Sequence, residues 1–143
     1  VRDYIERTKA RAREHGFVET LFGRRRFIPE IMSSNPRIRS EAERMAVNMP
    51  IQGSATGDIV KLAMIGVDNL IKKERLADDA RMLLQVHDEL VFGIKKERVP
   101  EVAAKIKNIM EHAADLSVPL VVDVKAGPNW GEQKPFEPHE VRG

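Results

Sequence analysis

The chain reads as an α+β protein, and three observations carry that reading. Stretches with helical periodicity alternate with short β-rich runs. Two of those runs are separated by a tight glycine-led turn, the mark of a hairpin. And 143 residues, 42% apolar and 32% charged, suffice for one soluble domain with its own core. The expected layout is a small, mostly antiparallel sheet, one hairpin of which bears a polar motif, packed against helices.

Residues 1–15 have high helix propensity, and Gly16 is placed to stop that helix. FVETLF alternates, and GRRRFIPEI begins with a turn glycine, so 17–31 reads as a β-hairpin with Arg24, Arg25 and Arg26 beside its turn. SSNPR is a loop able to cap the next helix. From Arg37 the pattern is helical, but a proline inside a helix forfeits a backbone bond, which predicts a break near Met49 and Pro50. Pro50 then opens a second helix to about Arg75, with Ile59, Val60, Leu62, Ala63, Ile65, Val67 and Leu70 as its apolar face. Gly53 and Gly57 weaken its first turns by about 1 kcal/mol each relative to alanine. ARMLLQV and ELVFGI are strands flanking His87 and Asp88, Pro100 starts a helix to about Asp115, and VPLVVDVKAG supplies one more strand. The tail PNWGEQKPFEPHEVRG reads as loop, frayed at its end.

Composition excludes several classes. No apolar stretch approaches the roughly 20 residues that cross a bilayer, so no membrane partner is expected. The absence of cysteine removes disulfides and thiolate zinc sites and fits an intracellular, cytoplasmic protein. The N-terminus lacks a signal peptide's apolar core and begins at Val1 in a helical pattern, as the interior of a longer chain would. A net charge of +2 says little about a nucleic-acid partner. The arginines at 24–26, 37, 39 and 44 are clustered enough to attract phosphates, although charge alone favours an ordinary solvated face.

Two constellations carry chemistry. In MLLQVHDELVF an apolar run is interrupted by His87, Asp88 and Glu89. Burying adjacent carboxylates costs several kcal/mol unless a positive charge neutralises them. A divalent cation would do so, and carboxylate oxygens suit magnesium. The competing reading is a hairpin turn that carries Asp for turn chemistry alone, and the stretch in isolation leans that way. His15, His87, His112 and His139 are too scattered for a zinc site, and no serine stands in a strained nucleophile elbow. In ERMAVNMPIQGSA, Arg44, Asn48 and Gln52 are spaced four and four, so on a continuous helix they share a face. Their donors and acceptors suit base edges or sugar oxygens in a minor groove, and a solvated polar stripe is the alternative that spacing alone prefers.

Taken together, GFVETLFGRRRFIPEI, AERMAVNMPIQGSATGDIVKLAM, MLLQVHDELVF and VPLVVDVKAGPNW resemble, in that order, the C-terminal palm region of the bacterial family A DNA polymerases. The resemblance covers Val1 to about Lys134, and QVHDELV is similar to the family's C motif. It implies template-directed DNA synthesis in replication and repair, with primer-template DNA and deoxynucleoside triphosphates as partners. Asp88 corresponds to the palm aspartate that binds the catalytic metals, Mg2+ in a two-metal site, with Glu89 as an auxiliary carboxylate and His87 near the primer terminus. Arg44, Asn48 and Gln52 correspond to residues that contact the primer-template minor groove, where acceptors common to all correct pairs report shape and not sequence. The GRRR segment is carried over as phosphate-facing scaffold.

Two departures from the family pattern matter. QGSATGD is one residue longer than the usual Gly-Ser/Thr-Ala-Ala-Asp spacing, which in a helix turns everything beyond by about 100° unless a local bulge at Gly57 absorbs it. The family's other metal-binding aspartate, its nucleotide-binding helix, and the thumb and exonuclease parts do not occur in residues 1–143. The expectation is therefore a C-terminal polymerase segment, active with the upstream part of its own chain and inactive alone. The alternatives are a non-catalytic duplex-DNA-binding remnant and a His-Asp phosphohydrolase, the latter requiring residues 82–92 to be helical.

Overall fold

Helices alternate with three two-stranded antiparallel ribbons in the computed structural model, which describes residues 1–138. His139 and the remainder of the tail expected to fray lie outside the described residues. The α+β expectation holds, with the strands distributed over separate ribbons instead of one sheet. The chain forms two compact units, one of Val1–Asp58 and one from Ile59 onward, each with its own apolar cluster.

In the first unit, α1 (Arg2–His15) ends at Gly16, whose φ of 76° is the left-handed conformation that glycine adopts without steric cost. The hairpin comes next as β1 (Phe17–Glu19) and β2 (Arg25–Phe27), in register Val18 to Arg26. A short 3-10 turn, Pro29–Met32, leads to α2 (Pro36–Gln52). Asn35 caps α2, its Oδ1 accepting the Arg37 N–H at 3.0 Å, and Pro36 occupies the first turn, where its missing N–H costs nothing. Ala12, Val18, Ile28, Ile31, Ala42 and Ala46 form the core, with Met45 and Met49 packed on it.

The expected break at Met49 and Pro50 does not occur. Helix α2 continues through Pro50 to Gln52, and α geometry gives way three residues later to a π-helical turn, Gly53–Ile59. That wider turn takes up the extra residue of QGSATGD, since a π turn carries one residue more between bonded groups than an α turn. The carbonyls of α2 that lead into it find side-chain donors: the Ser54 hydroxyl donates to the Pro50 carbonyl, and Thr56 Oγ1 donates to the Gln52 carbonyl at 2.7 Å.

In the second unit, α3 (Val60–Lys73) buries Val60, Ala63 and Val67, while Leu62 and Ile65 of the broad face expected from the sequence are exposed. β3 (Ala80–Val86) and β4 (Glu89–Ile94) pair antiparallel, and α4 (Val99–Glu111) packs Val102 and Ile106 against Val67, Leu76 and Ala80. Register shifts between Met82 and Leu84, leaving Leu83 as an extra residue in β3. As a result Ala80, Met82 and Gln85 lie opposite Ile94, Phe92 and Leu90, which share one face of β4 by alternation.

Helix α4 stops at Glu111 and not near Asp115, and VPLVVDVKAG is mostly not a strand. Only β5 (Lys125–Ala126) pairs, with β6 (Lys134–Pro135) from the tail read as loop. β-Propensity needs a neighbouring ladder, and at Val122 side chains of α4 replace it. Its N–H donates to Glu111 Oε1 at 3.1 Å, and its carbonyl accepts from Lys107 Nζ at 2.6 Å. Within this arrangement the Glu111 carboxyl lies below its ordinary value. Burial opposes that shift, and the bonds from the Val122 amide and Lys107 outweigh it.

Candidate functional site

The two groups of candidate residues lie in different units, and each has a defined local geometry. In the second unit, β3 and β4 are joined by a two-residue turn, His87–Asp88, closed by the pair Val86–Glu89. The apolar run is therefore interrupted because the chain reverses there. His87, Asp88 and Glu89 are all exposed at the tip, so no carboxylate is buried and the desolvation cost raised by the sequence is not incurred. A strand-turn-strand here removes the His-Asp phosphohydrolase reading, which needed a helix.

His87 has φ 54°, left-handed backbone that a side chain disfavours. Gln85, which sequence reasoning passed over, bears on this strain: its Nε2 donates to the His87 carbonyl at 3.2 Å across the turn. The Leu83 bulge is what changes the strand's phase ahead of Gln85. A glutamine breaking an apolar strand two residues before a polar turn was the available signal.

Asp88 and Glu89 form no ion pair or hydrogen bond through their side chains among the described residues, so their oxygens are open to a ligand. As donors they fit a hard divalent cation in kind. They do not complete a site: among the described residues no group of three or more His, Asp or Glu side chains is arranged to hold a metal.

In the first unit, α2 is unbroken from Arg44 to Gln52, so Arg44, Asn48 and Gln52 do share one face, and all three are exposed. None is engaged in a side-chain ion pair or hydrogen bond among the described residues. The stripe rises about 12 Å over its eight residue steps, at 1.5 Å per residue.

The arginine triplet divides. Arg24 Nε pairs with Asp58 Oδ1 at 3.0 Å, and its Nη2 donates to the Gly53 carbonyl at 2.9 Å. Arg25 Nε pairs with Glu19 at 2.7 Å while its guanidinium lies 4.6 Å from the centre of the Phe17 ring. Arg26 makes no such pair among the described residues. The signal for Arg24 was the two glycines four apart at 53 and 57, which mark a close approach to the helix.

A match to DNA polymerase family A extends over residues 1–132. The chain is 53% identical over 129 residues to DNA polymerase I of Pseudomonas aeruginosa, covering 90% of this chain and 14% of that protein. With DNA polymerase I of Bacillus subtilis it shares 48% over 134 residues, 94% of this chain and 15% of the other. The chain thus spans about a seventh of the relatives' length. Among solved structures, the POL domain of Pol1 from M. smegmatis, in complex with DNA primer-template and dNTP, superposes with a TM-score of 0.77 at 47% identity. That match covers 83% of this chain and 20% of the other. No helix among the described residues is long and apolar enough to cross a membrane.

Proposed function

Because the chain belongs to family A of the DNA polymerases, we propose that residues 1–143 work as the C-terminal part of a polymerase domain in a longer protein that copies DNA. The reaction is deoxynucleotidyl transfer. The primer 3′-hydroxyl loses its proton to solvent and attacks the α-phosphate of an incoming deoxynucleoside triphosphate. A new P–O bond forms as the bond from the α-phosphorus to the α–β bridging oxygen breaks, and pyrophosphate leaves. The observation that carries the reading is the Asp88–Glu89 pair, exposed on a hairpin tip with no side-chain partner among the described residues, in a chain so matched to this family.

In this reading Asp88 holds a divalent cation, magnesium by the hardness of its donors, and Glu89 supports it from the adjoining position. Bound cations in such sites stabilise charge on the attacking and leaving oxygens. His87 presents its imidazole beside the primer terminus from a backbone conformation held by Gln85. Arg44, Asn48 and Gln52 lie along the minor groove of the primer-template, where their amides and guanidinium bond acceptors that every correct pair displays. The POL domain with primer-template and dNTP supports both partners. Two carboxylates without a third ligand among the described residues support the further inference that the 143-residue segment alone is inactive.

Primer extension with magnesium tests this. The full-length product containing the chain should extend a primed template and lose extension on Asp88→Ala, while the 143-residue segment should extend none. Extension by the segment, or by the Asp88→Ala protein at the wild-type rate, would refute the assignment. The exposed stripe on α2 also supports a second reading, a duplex-binding segment without chemistry. Binding lost on Arg44→Ala but untouched by Asp88→Ala, with no extension by the full-length product, would favour it.

A further inference from the structure

Arg24 is spent inside the molecule. Its guanidinium lies on Gly57, bonds the Gly53 carbonyl and pairs with Asp58, so it spans the π turn at the end of α2. A Cβ at Gly57 would stand 1.9 Å from Arg24 Nη2 and 2.8 Å from its Cζ, so only glycine seats the arginine there. The β1–β2 loop is fastened to the same turn at two further residues. The Leu21 N–H donates to Ser54 Oγ at 2.8 Å, and Thr20 Cγ2 lies 3.0 Å from where a Cβ on Gly53 would be. Thr20 and Ser54, 5% and 2% exposed, are buried polar residues, and both sit at this junction.

Gln52 is the last residue of α2, directly before the turn. The carbonyls on either side of it are bonded: Pro50 by Ser54, Gly53 by Arg24, and that of Gln52 itself by Thr56. We propose that Arg24, seated on Gly57, is a positioning residue for Gln52, bracing the π turn so that the end of α2 presents its amide at a fixed place. This rests on the reading of α2 as the face that meets the primer-template. A residue that senses pair shape must be held to about 0.5 Å, and a helix end leading into a widened turn is not held that well by its own backbone. The brace supplies the missing constraint. It also revises the expectation that Arg24 faces phosphate.

The test compares three variants of the full-length polymerase: Arg24→Ala, Gly57→Ala and Gln52→Ala. Gly57→Ala removes no charge and no polar group. Its methyl displaces the far end of a flexible side chain, so Arg24 is unseated while the backbone stays helical. Extension from matched and mismatched primer ends is measured, together with the salt dependence of duplex binding. Each variant should lose about tenfold in the matched-to-mismatched ratio of kcat/KM, and either brace variant combined with Gln52→Ala should lose no more than Gln52→Ala alone. The salt slope should stay at its wild-type value.

A slope lowered by about 0.9 in Arg24→Ala, with Gly57→Ala unchanged in every readout, would make Arg24 a phosphate contact and overturn the proposal. So would losses that add to that of Gln52→Ala, or no loss of discrimination in either brace variant. Should Arg24→Ala fail to fold, Gly57→Ala decides alone. Failure of the wild-type protein to extend any primer would instead sink the polymerase reading, and the positioning role with it.

Discussion

The backbone at His87 makes a prediction whose sign is opposite to common experience. At most positions glycine is less stabilising than alanine, because it loses more freedom on folding, by about 0.5–1 kcal/mol. At position 87 φ is 54°, in the left-handed region, which costs a residue with a Cβ about 1–2 kcal/mol. Subtracting the first from the second leaves glycine ahead of alanine by about 0.5–1 kcal/mol. Both substitutions remove the same exposed imidazole, and the Gln85 bond goes to the residue's carbonyl, which both retain. The comparison of His87→Gly with His87→Ala therefore isolates the backbone. Hydrogen exchange at the β3 and β4 amides reads it directly, since local opening of the hairpin reports its own free energy within a larger protein. The glycine variant should exchange more slowly by roughly twofold to fivefold, at 1.4 kcal/mol per tenfold. Equal exchange, or slower exchange in the alanine variant, would show that the turn is not strained at His87. In the polymerase reading both variants lose the imidazole's contribution, so activity and hairpin stability should part company.

Other expectations concern the scaffold. The Arg13 side chain, through its hydrogen bond first and its charge after, holds the Glu43 carboxyl below the ordinary carboxylate value, against a smaller opposing effect of burial, and Lys9 adds to the lowering. Stability from this group is complete above the unfolded value near 4.5 and is lost as pH falls through the lower folded one. Glu43→Gln should therefore flatten the acid limb of the unfolding curve and leave a deficit at neutral pH. Truncating Ile28, fully buried in the first unit's core, to alanine should cost about 2–5 kcal/mol by urea unfolding. Asn35→Ala, which removes the cap of α2, should cost about 1 kcal/mol in the same assay, and Asn35→Gly less. Arg44→Ala should weaken duplex binding and leave its salt slope unchanged, as a contact to base edges requires, whereas a slope lowered by about 0.9 would make the guanidinium a phosphate contact.

Legible in the chain is whatever neighbours in sequence decide. Gly16 ends α1, Asn35 and Pro36 open α2, and two residues join β3 to β4, each through chemistry confined to a few residues. Pro50 departs from expectation because the rule for proline is local, whereas the bonds that hold the helix end beyond it are not. The hydroxyls of Ser54 and Thr56 and the guanidinium of Arg24 satisfy carbonyls where α2 passes into the widened turn, and Arg24 comes from a hairpin 29 residues before Gly53. VPLVVDV departs for the same reason: its β character is plain, yet at Val122 α4 offers a lysine and a glutamate instead of a ladder. Of the candidate site, the acidic tip and the α2 stripe are visible as spacing. The roles of Gln85 and Arg24 are not, because each acts on a carbonyl, and carbonyls look alike in any sequence.

The extra residue at Leu83 has a consequence for how tolerance to substitution should vary along β3. A strand without it would answer to one parity throughout, every second residue sensitive. Here the rhythm skips a beat. Even-numbered positions, Ala80 and Met82, stand in the apolar cluster at the strand's base, and past the bulge the same face of the ribbon passes to odd-numbered Gln85, which is exposed. A saturation scan should thus show two alternations out of step, joined at Leu83. Deleting Leu83 would restore one rhythm while keeping Gln85 opposite Leu90 and Val86 opposite Glu89, because the strand beyond it is already in the register of a ladder without the extra residue.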